Sequence, residues 1–359
     1  MNLHTWNSNC QEFKALISCQ RRDERDVLKV LGLPWHATRD TLAIPVPTLD
    51  SGNVQTKREV LHAISAIYDP LGLVSPVVLP GKLLLQRMWK DHLQWDEPLP
   101  TEYIERWKAI VGCIQQIATL VIPRYIGPAF SSDTSYQLLC FCDASSLAYA
   151  TAIYLRVHTP VTTTVLLIFS KSRLAPVKAI SLPRLELLAV AIGVCALKFV
   201  RDQLCSLPLT DSCLWTDSQC ILAWIASPRQ QPVFIQNRLA IIRQESAVTY
   251  RYVITSENPA DLPSRGTSAQ WLQHNDLWWH GPTCLTLFPD EWLTWNVPPC
   301  DLQTVSESST PSVIFETNSI MSLPITLDNM TSQHRSPSKC NAFLPSAVYF
   351  TSQHGFVDS

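Results

Sequence analysis

Four carboxylates stand where they could act together. Asp143 closes the apolar run YQLLCFCD, Glu186 lies near the start of LPRLELLA, Asp217 follows SCLWT, and Asp261 sits in the loop ENPADLPSRG after TYRYVI. Any one alone reads as a helix cap or a solvated group. As a set they read differently if the strands ending in Asp143 and Asp217 are neighbours and the helix lays Glu186 over them. Two such charges about 4 Å apart repel by roughly 4 kcal/mol at an effective dielectric near 20, so a gathered set calls for a cation. An oxygen-only ligand set favours Mg²⁺ or Mn²⁺ over zinc. The carboxylate oxygens of Asp143, Glu186 and Asp217 are therefore expected to converge on one point.

The elements that must position these groups follow from hydrophobic period. YQLLCFCD, AYATAIYLRV and TTTVLLIFSK read as three successive strands, hence an antiparallel set. LPRLELLAVAIGVCALKFVRDQL then carries Leu185, Leu188, Ala189, Ile192, Ala196 and Phe199 on one apolar face. Pro183 and Glu186 fall in its first turn, with Ser181 as the expected cap. SCLWTDS reads as a strand, SQCILAWIAS and PVFIQNRLAIIRQE as helices, and TYRYVI as the last strand. The order βββαβααβ is mixed α/β, with helices covering a central sheet. Residues 57–130 read as a small helical lobe with few candidate catalytic groups. Val60, Ile64 and Ile67 recur at helical spacing up to Asp69-Pro70, Leu83 to Trp89 reads as a second helix, and Glu102 to Leu120 as a third. Residues 1–56 read as a leader, strand-like at DVLKVLGLPWH and ending in a loop.

Composition narrows the classes. Of 359 residues, 46% are hydrophobic and 16% charged, which excludes wholesale disorder. The formal net charge is -2, so any nucleic acid must be held by a local basic surface. Leu185 to Val200 contains Glu186 and Lys198 and is too short for a membrane span. MNLHTWNSNC lacks the basic and apolar parts of a signal peptide, so an intracellular place, cytoplasmic or nuclear, is expected. The 12 cysteines are then reduced thiols; none form a CxxC pair. Cys140 and Cys142 are read on alternate sides of one strand, against a zinc site. Residues 301–359 hold 12 Ser and 6 Thr without helical or strand period, and the tail from 300 is expected to be disordered.

Several runs carry a family resemblance. VLGLPW, TKREVLHAISAIYDPLGLVSPVVLPGK, FCDASSLAYA, FSKSRLAP, LPRLELLA, LWTDS with LAWI, NRLAII, ENPADLPSRG and LWWHGP occur in that order between about Phe13 and Trp295. Together they resemble the pol region of BEL/Pao LTR retrotransposons, the stretch also known as the Pao retrotransposon peptidase family. The resemblance implies that the helical part corresponds to the thumb and connection of a reverse transcriptase. It implies an RNase H-like domain over 136–268, an α/β fold with a mixed five-stranded sheet flanked by helices, and a Trp-rich extension over 269–299. The family's DEDD signature falls on Asp143, Glu186, Asp217 and Asp261.

The implied activity is cleavage of the RNA strand of an RNA–DNA hybrid with two Mg²⁺ ions, for which Mn²⁺ can substitute. In that reading Asp143 bridges the ions, Glu186 and Asp217 complete one side, and Asp261 completes the other. Glu186 also faces the RNA 2′-hydroxyl. Ser145, Ser218, Asn258 and Arg265 are weaker candidates for contact with the nucleic-acid backbone, because Ser and Asn at such places also satisfy turns. The implied partners are the hybrid and the rest of a pol polyprotein, with no membrane. Two departures stand out. Many enzymes of this type carry a His before the last Asp, where this chain has Thr255-Ser256-Glu257; slower activity or another proton-carrying group is the expectation. The chain contains no Asp-Asp pair, so it is not a complete polymerase.

Other readings are weaker. Asp50-Ser51-Gly52 is a peptidase-like triplet, but Pro45, Pro47 and Asn53 around it read as a surface turn. An integrase-type site would use three acids arranged differently. An inert or domesticated fragment that only binds nucleic acid or protein is opposed by the four intact acids. Trp271, Trp278, Trp279, Trp292 and Trp295 could stack on bases, but packing at a domain edge is the favoured reading.

Overall fold

The computed structural model describes residues 7–16, 25–30, 32–48, 54–125 and 133–292. The chain opens with α1 (Gln11–Leu16), β1 (Val27–Val30), β2 (Leu33–His36) and β3 (Thr41–Leu42). Helices α2 (Lys57–Ser65), α3 (Ser75–Lys90) and α4 (Thr101–Gln115) follow, then β4 (Ile122–Pro123). Strands β1 to β4 form a four-stranded sheet in sequence order, so the segment before residue 56 is no free-standing leader. The Arg124–Asp40 ion pair at 2.5 Å ties β4 to the turn between β2 and β3, and Trp35 Nε1 donates to the same carboxylate at 2.9 Å. Asp50, Ser51 and Gly52 lie outside the described residues.

The helices form where the pattern places them, with shifted ends. α2 starts at a reciprocal cap: Thr56 accepts from the Glu59 N–H, and the Glu59 carboxylate accepts from the Thr56 N–H. It ends four residues before the expected stop at Asp69. α3 begins at Ser75, not Leu83, because Pro76 fits its first turn and the Asp69 carboxylate accepts from the Leu73 and Val74 N–H groups just ahead. α4 stops at Gln115, and the last stretch expected to be helical becomes a 3₁₀ turn, Gln116–Thr119.

The second sheet contains β5 (Ser135–Ala144), β6 (Ala148–His158), β7 (Thr163–Leu174), β8 (Ser212–Thr216) and β9 (Val248–Tyr252), in spatial order β7-β6-β5-β8-β9. The first three strands are antiparallel, while β8 runs parallel to both β5 and β9. This is the mixed five-stranded sheet that the sequence predicts. Side chains alternate between its faces. Leu138, Cys140 and Cys142 face α5 (Leu182–Gln203), α6 (Gln219–Ala226) and α7 (Val233–Gln244), within one core. Cys140 and Cys142 are two residues apart and therefore share a face, contrary to expectation; their sulfurs are 3.8 Å apart.

Leu139, Phe141, Tyr154 and Trp215 point the other way, into a second core shared with Val60, Met88 and Trp107 of the helical region. That region is therefore no separate lobe: it covers the sheet's second face. The cover is completed by α8 (Asp261–Arg265), α9 (Ala269–Gln273), α10 (Asp276–His280) and the turns after it. Trp278 is fully buried, its indole N–H donates to Leu73 O at 3.0 Å, and Trp292 is buried beside Trp215. Buried Arg156 on β6 donates to the carbonyls of Leu285 and Leu287. Packing thus accounts for Trp278 and Trp292, while Trp271 is half exposed. Trp295 and the tail lie outside the described residues, and among those described no helix is long and apolar enough to cross a membrane.

Candidate active site

The register of the parallel pair β5–β8 ends at Cys142 opposite Thr216. The next residue on each strand is an acid, Asp143 and Asp217, so two carboxylates leave adjacent strands side by side. Both continue the row of Leu139/Cys213 and Phe141/Trp215, whose two rings stack at 4.9 Å. Glu186 comes from above: it lies in the second turn of α5 rather than the first, and Ser218 Oγ donates to its Oε2 at 2.6 Å. Ser181 takes the N-cap position of α5 but makes no side-chain capping bond. Asp261 opens α8, a short helix packed against the ends of β5 and β6.

Each acid has a protein donor. Ser264 Oγ donates to Asp143 Oδ2, Thr255 Oγ1 donates to Asp217 Oδ2 at 2.8 Å, and Arg265 Nε pairs with Asp261 Oδ1. Burial, followed by the charges of Asp217 and Asp261, pushes the Asp143 carboxyl up to about 6, against the lowering effect of the Ser264 bond. Burial also pushes Glu186 up, with Asp217 adding to it and the Ser218 bond opposing it. The acids therefore feel one another as a single negative site. Arg265 is pulled toward its charged form by the bond to Asp261 first, with Asp143 and Asp217 adding to the effect.

The donor set is oxygen-only and negatively charged, which suits a hard divalent cation. As the side chains stand, however, no three His, Cys, Asp or Glu groups among the described residues converge closely enough to hold one. The expected convergence of Asp143, Glu186 and Asp217 on one point is not seen; each of the three instead accepts from a separate hydroxyl, those of Ser264, Ser218 and Thr255.

The four weaker candidates are built into the fold. Ser145 is buried, donates to Ser264 O at 2.6 Å and accepts from the Leu147 N–H at 3.0 Å, closing the β5–β6 turn. Ser218 caps α6 besides holding Glu186. Asn258 is buried and donates to Cys142 O at 3.1 Å, locking the last loop to the end of β5. Arg265 faces Asp261 from the next helical turn. Sequence reasoning missed Ser264 and Thr255. Ser264 stands one helical turn from Asp261, a spacing that marks it; Thr255 lies in a loop without period and carries no such signal.

Residues 56–218 match the family described as the Pao retrotransposon-like RNaseH-like domain. Over that stretch the chain is similar to a Pao retrotransposon-like domain. The match begins at the cap of α2, so the Pao-like domain joins the helices and the sheet in one unit, as the shared core does. It ends at Ser218, and the sheet continues beyond it to bring Asn258 and Asp261 to the same end. No curated protein matches the chain.

Among solved structures, the chain is similar to the N-terminal RNase H domain of a Mycobacterium tuberculosis protein (12% identity, 34% of this chain and 86% of that one, TM-score 0.24). It is likewise similar to LC11-RNase H1 in complex with an RNA/DNA hybrid (12% identity, 34% and 88%, TM-score 0.24). A foamy viral protease-reverse transcriptase in complex with double-stranded DNA covers more of this chain (14% identity, 64% and 45%, TM-score 0.22). At these TM-scores the strand order and the family match, not the likenesses, carry the RNase H-like fold.

Proposed function

We propose that the Pao-like domain is a ribonuclease of the RNase H type, cutting the RNA strand of RNA–DNA hybrids with divalent cations, within a retrotransposon pol product. The observation that carries the reading is the adjacent exit of Asp143 and Asp217 from parallel strands, with Glu186 and Asp261 close enough to perturb the same site. Asp143, Glu186, Asp217 and Asp261 would hold two Mg²⁺ ions, or Mn²⁺ in their place. Bound there, the ions supply an activated water and charge stabilisation for the leaving oxygen in an in-line displacement.

The chain's own groups prepare the site. Ser264 and Ser218 hold Asp143 and Glu186 while these carry raised proton affinities, and Thr255 orients Asp217. Asn258 fixes the loop that delivers Asp261. No His stands in that loop, and the expected consequence is slower product release. The test is a labelled hybrid with Mg²⁺ or Mn²⁺: RNA-strand cleavage that stops in chelator and spares DNA duplex is the expected result. An inert binding module is the second reading, and the engagement of every acid by a protein donor favours it. A chain that binds hybrid yet never cuts it under either metal decides for that second reading.

A further inference from the structure

One side chain near the acids carries a positive charge and points at them. Arg265 sits one turn after Asp261 on α8, paired to its Oδ1, and the charges of Asp143 and Asp217 act on it as well. The residue before it, Ser264, donates to Asp143. A single turn of chain thus satisfies two of the four acids, one with a hydroxyl and one with a full positive charge. The turn itself is anchored independently of the acids: Ser145 Oγ donates to Ser264 O at 2.6 Å, Ser172 Oγ donates to Pro263 O at 2.7 Å, and Gly266 leaves the helix at φ 88°. The Arg265 side chain is 58% exposed, so it can leave Asp261 for water without disturbing that anchor.

We infer that Arg265 is a built-in counter-ion that holds Asp261 in the metal-free protein and must give way when a divalent cation takes the carboxylate. This rests on the cation-binding reading above, because two cations cannot share the same oxygens of Asp261 at full strength. A nucleic-acid contact or a purely structural role for Arg265 makes a different forecast. If Arg265 merely placed Asp261 for metal binding, its loss would weaken cation affinity; as a competitor, its loss strengthens it.

The experiment is Mn²⁺ titration of the full chain by calorimetry, comparing the parent with Arg265→Gln and Arg265→Lys. Arg265→Gln is expected to bind Mn²⁺ about two- to fivefold more tightly, the scale of a solvent-screened ion pair. Arg265→Lys, which keeps the charge but loses the planar fork, should fall between the two. The metal-free melting temperature of Arg265→Gln should drop while its melting temperature in saturating Mn²⁺ matches the parent's. Unchanged or weaker Mn²⁺ binding in the folded Arg265→Gln variant overturns the inference and leaves the cation site standing. If Arg265→Gln does not fold, Mn²⁺ affinity of Arg265→Lys equal to or below the parent's overturns it instead. If the parent itself binds no Mn²⁺, the cation-binding reading fails and this inference falls with it.

Discussion

Asp143 is 4% exposed and holds its proton up to about pH 6, above its ordinary value of 3.8. Between those values the folded chain binds more protons than the unfolded one, so without metal its stability falls as pH rises through that window. The full effect is at most about 3 kcal/mol, and it is complete above the folded value. Asp143→Asn keeps the shape and an acceptor for Ser264. Denaturant titrations without metal should therefore show this variant more stable than the parent at pH 7 and less dependent on pH between 4 and 6. Under the proposed function the same substitution should lower hybrid cleavage by orders of magnitude; equal rates would remove Asp143 from the proposed metal site. The acids were legible because each stands at a strand end or in an early helical turn, positions fixed by local pattern. Their donors were not, because Thr255 and Ser264 reach the acids through loop geometry that carries no period.

At the scale of elements, the helix α5 meets the sheet more closely than an ordinary side chain permits. A Cβ at Gly193 would lie 2.4 Å from Cys142 Sγ and 3.2 Å from Thr151 Oγ1. Gly193→Ala should gain helix propensity yet lose more to overpacking, for a net cost of about 1–2 kcal/mol in chemical denaturation. Cys142→Ala in the same chain should recover part of that loss, and strict additivity of the two would refute the contact. A second close approach joins the helical region to the sheet. Gly72 turns at φ 72°, where a Cβ would lie 1.9 Å from Ser170 O, and the Ser170 N–H donates to Leu71 O at 2.8 Å. Sequence period found α5 and all five strands of the second sheet. It set the ends of α2, α3 and α4 wrongly, because Pro76, Asp69 and the 3₁₀ turn act through caps rather than through apolar spacing.

Over the whole molecule, the second core is assembled from distant parts of the chain: Leu33 and Trp35, then α2 to α4, the back of the sheet, and last Trp278 and Trp292. The sequence suggested a separate helical lobe because the hydrophobic pattern changes from helical to strand-like near residue 136, and period is blind to which face of a strand a helix will cover. Trp278→Ala empties a fully buried site and should cost about 3–5 kcal/mol, whereas Trp271→Ala, half exposed, should change stability by less than about 0.5 kcal/mol. Equal effects of the two in urea melts would contradict the assignment of Trp278 to the core. The arrangement has a genetic corollary. A reading-frame stop just after Arg265 preserves every acid and all five strands, yet leaves Phe141, Tyr154 and Trp215 without their last cover. Such a product should aggregate, so a nonsense lesion well downstream of the acids is expected to abolish the folded domain although every acid is kept.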